Sequence, residues 1–160
     1  MEISEFDRMC FERAIHLAHE AEKQNNLPIG AVIAYQGEII AEGKNTIWHP
    51  AFDATRHAEM EALRSVPNHL WKKSREMTLY STLEPCIMCM GSILMHFVGR
   101  VLFGAADPYG GGSMLAGHLP PFFEDQLTKV AWIGPAYPKE CDKLYERSMA
   151  LVEKRTEIDP

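Results

Sequence analysis

The chain has 160 residues, 46% hydrophobic and 24% charged, enough to bury a core without disulfide staples, and it reads as one domain over 1–160. No apolar run approaches the roughly 18 residues of a membrane span, and the acidic start Met1-Glu2-Ile3-Ser4-Glu5 lacks a signal peptide's basic and apolar regions. A cytoplasmic protein without a membrane partner is expected. Its 16 basic and 22 acidic residues give a net charge of −6, a poor starting point for a protein that grips nucleic-acid phosphates.

Phe6, Cys10, Ala14, Leu17 and Ala21 recur at helical spacing, predicting a helix over residues 5–24 with Cys10 packed in the core. Asn25-Asn26-Leu27-Pro28 ends it. Strands are predicted over 29–35 and 38–43, joined at Gln36-Gly37 as an antiparallel hairpin. A polar loop over 44–56 leads to a short helix over 57–65, and a third strand follows over 77–82. Pro85 suits a first helical position, so the next helix is placed over 85–97. Strands over 100–104 and 129–133 and a closing helix over 138–153 complete the reading. Alternation of strands and helices implies a layered α/β domain with a mixed sheet. The Gly- and Pro-rich stretch 107–121 takes no element and is a candidate substrate lid. Cys141 has no partner identifiable from the sequence.

One constellation carries chemistry. His57-Ala58-Glu59 is followed, 27 residues after Glu59, by Pro85-Cys86-Ile87-Met88-Cys89. Two thiolates at this spacing, the second in a helix's first turn, chelate one zinc ion, and an imidazole supplies a third ligand. Helix N-termini favour thiolate over thiol. A structural site is closed by four protein ligands, whereas three leave a position for water, whose pKa zinc lowers to about 7. Such a site needs a proton carrier. Glu59 lies too near His57 in sequence to chelate from the same helix face, and it is assigned that catalytic task. Alone, Cys-x-x-Cys also fits a redox pair and His-x-Glu a surface helix cap. Together, with Pro before the first Cys, they match the zinc deaminase signature.

These residues resemble the cytidine deaminase superfamily, in the branch that contains tRNA adenosine deaminases, guanine deaminases and fungal cytosine deaminases. Pro28-Ile29-Gly30-Ala31-Val32, Asn45, His57-Ala58-Glu59, Thr82 to Gly91 and Arg100 to Ala105 carry the similarity. It implies a three-layer α/β/α sandwich around a five-stranded mixed sheet, one zinc per chain, and homodimers or larger assemblies. It also implies hydrolytic removal of an exocyclic ring amine as ammonia, with Glu59 protonating a ring nitrogen and then the departing amine. Asn45 matches a family asparagine that bonds the base or its sugar; its alternative is a strand-end turn residue. The backbone amides of Ala58 and Cys86, at helix starts, are candidates to orient base or water.

The substrate is read from departures. Asp53-Ala54-Thr55-Arg56 stands where tRNA enzymes carry Asp-Pro-Thr-Ala, making Arg56 a candidate substrate contact, with an outward surface Arg as the alternative. The loop from Asp107 to Ser113 is short and has no Lys. From Lys139 to Pro160 five basic residues face six acidic ones: Lys139, Lys143, Arg147, Lys154 and Arg155 against Glu140, Asp142, Glu146, Glu153, Glu157 and Asp159. These features favour a small-molecule substrate, a nucleobase or nucleoside such as a guanine-like purine or cytosine. The alternatives are wobble adenosine in tRNA, or a noncatalytic zinc-stabilised subunit. Tyr109, Phe122 and Phe123 are candidate stacking groups, whereas His96 and His118 are expected to pack or face solvent.

Overall fold

The computed structural model describes residues 2–158; Met1, and Asp159 and Pro160 of the charge-balanced C-terminus, lie outside them. The elements run α1 (Glu5–Lys23), β1 (Gly30–Tyr35), β2 (Glu38–Lys44), α2 (Ala58–Ser65), a 3-10 stretch (Asn68–Glu76) and β3 (Thr78–Leu83). They continue with α3 (Ile87–Met95), β4 (Arg100–Ala105), a 3-10 turn (Gly112–Leu115), α4 (Pro121–Leu127), β5 (Ala131–Ile133) and α5 (Pro138–Ile158). The five strands form one mixed sheet in the order β2-β1-β3-β4-β5. β1 pairs antiparallel with β2 and β3, while β3–β4 and β4–β5 are parallel.

Strand alternation sorts the core onto two faces. Val32, Ala34, Tyr80 and Leu102 point to α1, where Cys10, Phe11, Ala14 and Leu17 meet them, as the helical stripe requires. Ala31, Ile33, Leu79 and Val101 point the other way, onto Ala58, Ala62 and Leu63 of α2 and Ile93 and Leu94 of α3. The start of α5 joins the α1 face, with the buried Cys141 against Gly104. The result is the expected α/β/α sandwich. Gly43 sets the spacing on the α2 side, because a Cβ there would overlap the Ala58 carbonyl oxygen and the Ala62 nitrogen. Its missing side chain lets the first turn of α2 lie directly on the sheet.

Some expected boundaries shift. Pro85 is not the first helical residue, since Cys86 is the N-cap of α3 and Pro85 precedes it. The stretch 107–121 holds a 3-10 turn and leads into α4, whose seven residues are too few for periodicity to reveal. α5 continues past the expected end at 153.

Asp7 ties α1 to the sheet. It is buried, and its Oδ2 accepts from the Ser4 backbone N–H and hydroxyl at 3.0 and 2.7 Å. Its Oδ1 accepts from the Tyr80 hydroxyl at 2.7 Å and Arg100 Nη1 at 2.9 Å. Burial disfavours the carboxylate, but the bonds from Arg100, Tyr80 and Ser4 outweigh it and hold the pKa well below the usual carboxylate range. A carboxyl depressed on folding contributes stability above its unfolded pKa of about 3.9 and loses it as pH falls. Asp7→Asn should therefore cost roughly 1.5–3 kcal/mol near pH 7. In urea melts across pH, the gap from wild type should narrow below about pH 4.

Candidate metal centre and cleft

His57 is the N-cap of α2 and Cys86 the N-cap of α3, and neither side chain caps its own helix. Both side chains are thereby free to face each other, with the partial positive charge of two helix N-termini behind them. His57 Nδ1 lies 3.6 Å from the sulfur of Cys86 and 3.6 Å from that of Cys89, which sits in the first turn of α3. All three donor atoms fall within 4.8 Å of one another. A tetrahedral zinc with Zn–S of about 2.3 Å and Zn–N of about 2.0–2.1 Å spans N···S edges of about 3.6 Å, so the donor set and its spacing fit that ion. Hydrogen bonding from Cys89 and His57 lowers Cys86 to about 4, while the bond to Cys86 and burial push Cys89 up. Zinc binding would displace the remaining thiol proton.

Glu59 lies one residue into α2 and is 3% exposed. Ser81, on the α2 face of β3, donates its hydroxyl to Glu59 Oε1 at 3.0 Å, and Cys89 Sγ donates to Oε2 at 3.5 Å. Burial raises the carboxyl's pKa, partly offset by the charge of His57, which suits a group that must take up and return protons. The Ser81 hydroxyl also accepts from the Leu83 N–H at 3.4 Å, which fixes its rotor for Glu59.

Above these groups opens a cleft of ≈ 200 Å³. His57, Glu59 and Cys86 form its floor; Leu27, Ile29 and Leu83 make an apolar wall; Asp107 and Tyr109 make another; and Tyr145, Met149 and Val152 of α5 close it from above. Asn45 is fully buried beside this wall, its N–H bonded to the Ile29 carbonyl at 3.0 Å. Its Oδ1 accepts from the Ile47 N–H at 3.3 Å, but its Nδ2 has no partner among the described residues. Ala58 is buried at the start of α2.

Other expected contacts fall elsewhere. Arg56 does not line the cleft, because its guanidinium grips Glu61 of α2 at 2.9 and 3.3 Å on the opposite side of the helix start. Phe122 and Phe123 belong to α4, stacked edge-on with ring centroids 5.2 Å apart, away from the cleft. The stretch from 107 lines the cleft at its start, through Asp107 and Tyr109. His96 packs 4.6 Å from Trp71, and His118 is exposed. The sequence reading missed Ser81 and the α5 residues, which nothing local marked; Glu84 lay within the quoted motif and Asp107 opened the candidate lid stretch, but neither was singled out by itself.

A profile of the cytidine and deoxycytidylate deaminase zinc-binding region matches residues 4–105, which include every residue of the metal centre. The chain belongs to this family. Zinc is the metal of this family, and His57, Cys86 and Cys89 form a group that could hold it. The tRNA-specific adenosine deaminase of Bacillus subtilis is 40% identical over 109 residues, 67% of this chain and 66% of that one. Its counterpart in Haemophilus influenzae is 40% identical over 124 residues, 76% and 69% of the two chains. The chain thus spans about two thirds of the length of these relatives. A solved chain from a study of A-to-I editing by tRNA:A34 deaminases superposes with TM-score 0.69 and 31% identity, covering 86% of this chain and 99% of that one. Guanine deaminase from Nitrosomonas europaea shares the fold, with TM-score 0.69, 16% identity and coverage of 93% and 87%.

Zinc held here would supply a Lewis acid that acidifies water towards neutral pH. Glu59, buried beside the metal group, is placed to take up and return protons. Cys86→Ala and Cys89→Ala should lower zinc content and melting temperature together. Glu59→Ala should keep about one zinc per chain while ammonia release falls roughly 10²–10⁴-fold. Metal analysis beside an ammonia assay checks both.

Proposed function

We propose that this protein is a zinc-dependent hydrolytic deaminase of adenosine in tRNA, yielding inosine and ammonia, and that residues 1–160 act as one domain. The observation that carries this reading is the 40% identity to tRNA-specific adenosine deaminases, supported by the 31% identity to the solved chain from the A-to-I editing study. It replaces the sequence-based preference for a free guanine-like purine or cytosine, since the guanine deaminase likeness, at 16% identity, concerns fold alone. The cleft suits the reading: its ≈ 200 Å³ and apolar walls fit one flipped-out base. Tyr109, 84% exposed at the mouth, offers a stacking surface for a neighbouring base. The buried Nδ2 of Asn45, without a partner among the described residues, is a candidate donor for the substrate, as are the amides of Ala58 and Cys86 at the helix starts.

The acidic net charge opposes this assignment less than it first suggests. On α5, Lys154 and Arg155 border a second hollow with Trp48 and His49, and the Arg155 guanidinium lies 4.6 Å over the Trp48 ring. Cation and aromatic together beside the cleft form a surface that suits single-stranded RNA. No helix among the described residues is long and apolar enough to cross a membrane.

Purified protein given tRNA bearing adenosine at the wobble position should form inosine there, far faster than it releases ammonia from guanine, cytosine or adenine. Faster release from a free base overturns the reading.

We also place a homodimer at the α3–α4 face. Ile87 and Met95 of α3 are 62% and 61% exposed and Phe122 of α4 is 49% exposed, around an apolar groove between the two helices. An exposed apolar area of this kind marks an association surface. Light scattering should give twice the chain mass, and Ile87→Glu should halve it.

A further inference from the structure

Glu84 is a carboxylate 6% exposed, and the two hydrogen bonds it accepts both come from backbone. Its Oε2 accepts from the Asp107 N–H at 3.0 Å and its Oε1 from the Ser113 N–H at 2.8 Å. One side chain thus grips the stretch 107–113 at both ends. The same stretch meets the Cys86 turn at two further points: the Gly112 N–H donates to the Pro85 carbonyl at 2.9 Å, and Gly111 bridges Cys86 in antiparallel fashion. Gly111 lies so close that a Cβ there would overlap the Glu84 carboxyl and come within 2.6 Å of the Asp107 carbonyl oxygen.

We propose that Glu84 is a positioning residue for deamination, fixing the Asp107–Tyr109 wall of the cleft at a set distance from the metal ligand two residues after it. The proposal rests on the reading of this cleft as the substrate site. Glu84 also lines the cleft, but the bonds to its two oxygens run to the loop, and it acts through them. Asp107 Oδ1 accepts from the Tyr109 and Gly110 N–H groups at 2.9 and 3.0 Å and from the Tyr145 hydroxyl at 3.3 Å. Holding Asp107 therefore places three groups that line the cleft: Asp107, Tyr109 and Tyr145 of α5. A carboxylate is needed because both of its oxygens must accept. In Glu84→Gln one backbone N–H would face an amide N–H instead of an acceptor.

Two variants loosen the clamp from opposite sides. Glu84→Gln removes one acceptor with little change in shape, and Gly111→Ala pushes the loop off the carboxyl. Steady-state constants are measured on whichever amine the wild type releases fastest, so a wrong substrate assignment is seen separately, in the wild type. Both variants should retain about one zinc per chain and lose roughly 10- to 100-fold in kcat/KM, carried mainly by KM. Amide exchange over 107–113 should speed up in both. An unchanged KM, a loss carried by kcat alone, or zinc loss in place of the KM rise overturns the proposal.

Discussion

The N-termini of α2 and α3 converge so that His57 Nδ1 stands 3.6 Å from two cysteine sulfurs, and the rest of the site is arranged around that convergence. Each helix begins on a residue whose side chain turns away from capping and towards the other helix. The orphan N–H groups left behind favour negative charge, which is what two thiolates and a nearby carboxylate bring. Gly43 lets α2 settle onto β2, and strand alternation turns Ser81 towards Glu59. The metal holds together what the helix starts bring near, so ligand loss should be felt in the fold as well as in the chemistry.

Much of this was legible in the sequence because it depends on local patterns. The stripe through Phe6, Cys10, Ala14 and Leu17 recorded the buried face of α1, and the apolar run at 30–35 recorded a strand covered on both sides. His57, Glu59, Cys86 and Cys89 carried their chemistry in spacing and residue type. What was hidden depends on long-range placement. Arg56 sits one residue from a zinc ligand, yet its guanidinium goes to Glu61, because the chain turns into α2 at that point. Tyr145, Met149 and Val152 line the cleft only because α5 crosses back over β3 and β4, some 60 residues from Glu84 in sequence. α4 begins at Pro121 after the N-cap Pro120 and ends within two turns, too short for apolar spacing to declare it.

Net charge is a property of the whole surface, while the base recognition proposed for this cleft depends on a small area. Several of the acidic groups are occupied within the fold: Glu42 by Arg13, Glu20 by Lys44, and Glu22 by Arg147. Counting charges along Lys139 to Pro160 therefore set Arg147, committed to α1, on a par with Lys154 and Arg155, which border the hollow with Trp48.

The division between floor and walls has a consequence for how substrate choice arises in such a fold. The floor consists of groups whose partners are one another: His57 with two thiols, and Glu59 with Ser81 and Cys89. The walls are held by separate bonds, through Glu84 to the loop, through Asp107 to Tyr145, and through the Asn45 N–H to Ile29. Walls and floor meet at few places: the Ser81 hydroxyl that bonds Glu59 also accepts from the Leu83 N–H, and the 107–113 loop is bonded to the Glu84-Pro85-Cys86 segment. That short segment is where the two requirements meet. Its side chain fixes the substrate wall, while its backbone delivers a metal ligand, so it tolerates less change than either neighbour.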